Sequence, residues 1–71
     1  MAAFPYELGA TRKICGKPEQ YKGWTVWHYK LHCQQTGAAK GEWRDMALAV
    51  RGNEVLTGCV YQQIDNEFKE H

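Results

Sequence analysis

Three cysteines and three histidines, Cys15, Cys33, Cys59, His28, His32 and His71, are the side chains here best suited to chemistry, and spacing limits what they can do together. Cys33 with His28 or His32 has the composition of a thiol nucleophile and its base. On a β-strand, however, Cys33 points to the face opposite both histidines, so the pair does not meet. Cys15 and Cys59 would reach a histidine only through tertiary folding. His28 and His32 share a strand face, but four residues at ~3.3 Å each put them about 13 Å apart, too far for two ligands of one zinc at ~2 Å bonds. Only a helical Trp24–Gln34 would bring them within one turn of each other. No C-x-x-C, G-x-S-x-G, H-E-x-x-H or phosphate-cradling glycine loop is present. The expectation is a non-enzymatic chain with no cofactor and no metal.

The odd number of cysteines prevents complete pairing within one chain. Met1 to Leu8 lacks the charged start and continuous apolar run of an export signal, and no stretch approaches the ~18 apolar residues of a membrane span. A soluble, cytoplasmic protein with free thiols follows as the expectation. Cys33, on an apolar strand face, and Cys59, beside an apolar helix stripe, read as small hydrophobes.

The elements that would hold these residues fit one small domain, because 71 residues supply a single core rich in large rings. Both prolines and Gly9, Gly16 and Gly23 fall in residues 1–23, which read as irregular or as carrying a short edge strand at Arg12–Cys15. Residues 24–56 read as antiparallel strands. In Trp24–Gln34, Trp27, Tyr29, Leu31 and Cys33 alternate with His28, Lys30, His32 and Gln34, a period of two with strong β-formers. Gln35–Gly41 has the composition of a hairpin connection. Trp43–Val50 is compatible with helix or strand, and the turn pair Gly52-Asn53 before Val55-Leu56 favours a second hairpin. Residues 57–71 read as the C-terminal helix, with Val60, Ile64 and Phe68 in one stripe and Thr57 as its cap. An earlier start at Asn53 would absorb the last strand. The fold class expected is α+β, a small antiparallel sheet of three, or four, strands packed against one C-terminal helix. That order of elements is similar to the short DNA-arm-binding domains of phage integrases, a likeness of fold to which no residue motif belongs.

One helix covers one face of such a sheet. Placing it over Trp27, Tyr29, Leu31, Met46, Leu48 and Val50 leaves the other face open, with Trp24, Val26, His28, Lys30 and His32 on one strand and Trp43, Ala47, Ala49 and Arg51 on the next. Leaving such rings in water forfeits ~1.5–3 kcal/mol per large side chain, so a cover is expected. Three covers fit: the N-terminal segment with Phe4, Tyr6, Leu8 and Ile14; a second copy or another protein, with Trp and Arg as anchors; or a nucleic acid stacking on the aromatics. Residues 1–40 carry six cations against two carboxylates, a balance of +4, and residues 41–71 carry three against six, a balance of −3. The halves can neutralise each other within the chain or across a dimer, and the net +1 is weak for a nucleic-acid binder. The expected function is a small protein–protein interaction module, a homodimer or an inhibitor-like accessory protein of bacterial or phage type, with nucleic-acid binding as the alternative and no membrane partner.

Overall fold

The computed structural model describes residues 3–32 and 41–69 of the chain. The sequence-predicted class holds: among the described residues one helix, α1 (Val60–Glu67), is carried by an antiparallel sheet of five strands. These are β1 (Arg12–Ile14), β2 (Glu19–Tyr21), β3 (Trp24–His32), β4 (Trp43–Arg51) and β5 (Glu54–Thr57). β3 and β4 form the long central hairpin, paired from Thr25–Val50 to His32–Trp43. Cys33, Gln34, the connection up to residue 40, Glu70 and His71 lie outside the described residues.

β1 and β2 line the same edge of β3, one after the other. Ile14 pairs with Tyr29 and Glu19 with Val26, so the four residues Cys15–Pro18 stand against only Trp27 and His28. The extra length is accommodated by Gly16 at φ 74°, and Pro18, with no amide to donate, suits the gap in the ladder. The amide of Cys15 still donates to the His28 carbonyl at 2.8 Å. Two tight turns set the remaining registers. Lys22 (φ 48°) and Gly23 (φ 85°) close β2 onto β3 with both central residues left-handed, the geometry that matches strand twist. Gly52 (φ 60°) opens the turn between Arg51 and Glu54, so the Gly52-Asn53 pair makes the hairpin its composition indicated.

Both sheet faces are apolar, and the structure assigns them the other way round from the expectation. Val60 and Ile64 of the helix pack on Trp24, Val26 and Ala49, with Ala47, Leu56, Tyr21 and Tyr61 at the margin. Tyr29, Leu48 and Val50 form a second cluster on the opposite face, flanked by Trp27, Leu31, Met46 and Phe4. The reason is depth: a sheet surface of alanines admits a short helix at close range, whereas Trp27, Tyr29, Leu48 and Met46 already fill the space above their own strands. Phe4 of the N-terminal segment covers that second face, its ring edge-on to Tyr29 (5.2 Å) and Trp27 (5.5 Å).

The helix also begins later than its cap signal implied. Thr57 ends β5, Gly58 turns the chain at φ 87°, and Cys59 stands at the N-cap without a side-chain capping bond. The Gln63 side chain instead reaches back to donate to the Thr57 carbonyl at 2.8 Å. Cys59 is exposed there and not a core hydrophobe. Phe68 lies past the last turn and is 54% exposed, so the stripe that packs is Val60 and Ile64 alone.

Candidate interaction surface

Strand register places Trp24, Val26, His28, Lys30 and His32 on one face with Trp43, Ala47, Ala49 and Arg51, opposite pairs being His32–Trp43, His28–Ala47 and Val26–Ala49. The helix divides this set. At its end of the sheet, Trp24 (1% exposed), Val26 and Ala49 are buried and Ala47 packs beside them. They are core residues, and the expectation that this end is open is overturned.

Polar groups around that core close on one another. The Arg51 guanidinium sits 4.2 Å from the Trp24 ring centre and bridges to Glu67 at 2.7 Å and Glu54 at 3.5 Å. The Trp24 indole N–H donates to the second Glu67 oxygen at 3.1 Å. Hydrogen bonding from Arg51 and from Trp24 outweighs desolvation and holds the Glu67 carboxyl below its ordinary range. Lys22 and the Tyr21 hydroxyl both donate to Asp65 at 2.7 Å, which lowers the Asp65 pKa and raises both donors. The Lys22 bridge also anchors a non-glycine residue at positive φ. A third contact links the edge strand to the helix: Tyr61 donates to Glu19, and its oxygen lies 3.2 Å from Nε2 of His28, whose ring stacks on the Tyr61 ring. Because the Tyr61 hydroxyl hydrogen is directed at Glu19, its oxygen is left to accept from the Nε2–H tautomer of His28. The Glu19 carboxylate, then burial, push the Tyr61 phenol up to about 12.

A shallow pocket of about 340 Å³ lies beside this end, between Arg51, Glu54, Leu56, Gln63 and Asn66. Its cation is already held by two carboxylates, and the Trp24 ring beneath it is covered.

Among the described residues, no helix lies over the far end of the same face. There Trp43 is 38% exposed, His32 tilts against its ring at 4.8 Å, and Lys13 reaches across from β1 to place Nζ 4.7 Å from the ring centre. Lys30 is exposed on the intervening strand, level with Asp45 on β4. Among the described residues, every ion pair belongs to the helix end, and Lys13, Lys30 and Arg44 have no carboxylate within bridging distance. Of those pairs, Lys22–Asp65 joins the two oppositely charged halves of the chain. The register puts Trp43, Lys30 and His32 on one face, as the alternation implied, and adds Lys13, which the sequence did not point to because its place depends on the β1–β3 pairing with Lys30.

Among the described residues no group of three His, Cys, Asp or Glu side chains gathers to hold a metal ion, and no helix is long and apolar enough to cross a membrane. Compared with protein-family models, curated proteins and solved structures, the chain has no match.

Proposed function

We propose that this protein is a small non-enzymatic protein–protein interaction module whose contact surface is the open end of the sheet, around Trp43, His32, Lys13 and Lys30. The observation that supports this reading is the segregation of charge and cover. Among the described residues, helix, alanines and ion pairs all lie at the Trp24 end, while an exposed tryptophan and cations without an ion pair remain together at the other. Tryptophan is among the side chains most enriched as interface anchors.

Nucleic-acid binding is the second reading, favoured by the same tryptophan flanked by Lys13 and His32, since an aromatic ring among cations is also a stacking platform. Binding of mixed-sequence DNA and RNA at low and high salt, measured with solution mass, separates the two. Nucleic-acid binding that weakens steeply with salt and is lost in Trp43→Ala supports the second reading and sinks the first. Absence of such binding, together with partner-induced changes at the Trp43 indole, supports the first.

A further inference from the structure

The outer edge of β4 is only half occupied. β4 runs from Trp43 to Arg51, but β5 pairs with Leu48–Arg51 alone, because Gly58 turns the chain away into the helix just where the strand would have continued. The direction of the free backbone groups follows from the ladder. His32 donates its amide to the Thr11 carbonyl, on the side of β1, and the His28 carbonyl accepts from Cys15 on that side too. The partners of His32, Lys30 and His28 on β4 are therefore in non-hydrogen-bonded pairs with β3. Trp43, Asp45 and Ala47 consequently turn N–H and C=O outward, and among the described residues no strand meets them.

We infer that this slot accepts an extended segment of a partner protein as an added strand, antiparallel to β4 and in line with β5. The inference rests on the interaction-module reading and specifies how that module binds. Main-chain bonds supply the affinity of strand addition, and flanking side chains supply the choice of partner. On one face the incoming strand lies beside Trp43, Asp45 and Ala47; on the other it lies beside Arg44 and Met46. Arg44 is exposed and has no ion-pair partner among the described residues, so the segment carries a carboxylate opposite it and an apolar residue opposite Met46. A second copy of this chain fits badly. The two self-complementary registers that fill the slot put Arg44 against Arg44 or Asp45 against Asp45 at the two-fold axis, and directly opposed like charges are destabilising. Charged residues on a bare edge are how sheets discourage such self-pairing.

The test uses the full chain and the capped peptide Val-Thr-Glu-Val-Thr, which in antiparallel register runs from Met46 to Glu42, stops short of the Leu48–Thr57 pair and sets its glutamate opposite Arg44. In the free protein, the amides of Trp43 and Asp45 exchange rapidly while those of Arg44 and Met46, bonded to β3, are protected; on saturation with the peptide, Trp43 and Asp45 become protected. Replacing the peptide glutamate by lysine weakens binding by about threefold, and Arg44→Glu reverses the preference by a similar factor. Protection of Trp43 and Asp45 in the free monomer overturns the inference, as does failure to bind at millimolar peptide. If the peptide shifts the Trp43 indole without protecting these amides, strand addition is wrong while the module reading stands. If only an oligonucleotide moves the indole, both are wrong.

Discussion

The Arg51 guanidinium lies over the Trp24 ring, 4.2 Å from its centre, and the two side chains grip opposite oxygens of one carboxylate, Glu67, at 2.7 and 3.1 Å. A residue of β4 and a residue of β3 thereby pin the last turn of the helix to the sheet. Trp24 serves as both the floor of the core and a hydrogen-bond donor to its lid. Trp24→Ala is expected to cost ~3–5 kcal/mol, as for other buried aromatic truncations. In a domain this small that is enough to unfold much of the population. Trp24→Phe keeps a ring under Arg51 but loses the bond to Glu67, and its melting temperature should fall between the two. Thermal denaturation followed by circular dichroism checks the order, and an unchanged melting temperature in Trp24→Ala would show that the helix does not rest on this ring.

Ala49 is fully buried beneath the helix, and its size sets how closely Val60 and Ile64 approach the sheet. Ala49→Leu should destabilise by ~1–3 kcal/mol through overpacking. Met46→Leu, on the opposite face and nearly equal in volume, should cost less than about 1.5 kcal/mol. Chemical denaturation of the two variants gives the comparison. Equal tolerance at both positions would return Ala49 to an open surface.

Much of this fold is legible in the sequence because period and turn chemistry are local. The alternation across Trp24–His32 and the Gly52-Asn53 turn required no knowledge of the rest of the chain. Which face the helix takes was not legible, because strand parity sorts residues into two sets and both sets here are apolar. The deciding quantity was volume: Ala47 and Ala49 leave room for a helix and the rings opposite do not. The three-residue strand Glu19–Tyr21 is too short to show a period, and it exists through its pairing with β3. Lys13 entered the open end by the same non-local route.

Acid should loosen the helix end first. Lys22 and then Tyr21 hydrogen bonds depress the Asp65 carboxyl below 3.8, and Arg51 depresses Glu67 below 4.5. Groups with lowered folded pKa values contribute stability that is present above their unfolded values and lost as pH falls through the folded ones. The melting temperature should therefore hold down to the ordinary carboxylate range and drop below it. An Asp65→Asn, Glu67→Gln variant should start lower at neutral pH and show a flatter acid limb. An identical acid limb would place the sensitivity elsewhere.

The alkaline limb belongs chiefly to Tyr61. Its phenol is raised from 10.0 to about 12, so the stability it contributes is complete below pH 10 and is lost as pH rises through 12. Tyr61→Phe removes that loss along with the bond to Glu19, leaving the smaller dependences from Lys22, Tyr21 and Tyr29, which are shifted the same way. Tyrosinate absorbance during a pH titration reports the value directly, and ionisation of every tyrosine near 10 would contradict the contact.

One contrast divides a single sheet face: Trp24 is closed under the helix and Trp43 is open at the far end. Hydrogen exchange at the indole N–H groups, read as separate resonances assigned by Trp24→Phe and Trp43→Phe, measures it in the free protein. The Trp24 proton, bonded to Glu67 and buried, should exchange slowly, and the Trp43 proton should exchange at close to the free-indole rate. Protection of Trp43 equal to or greater than that of Trp24 would contradict the account, because the open end would then be closed and the contact surface proposed for it would not exist.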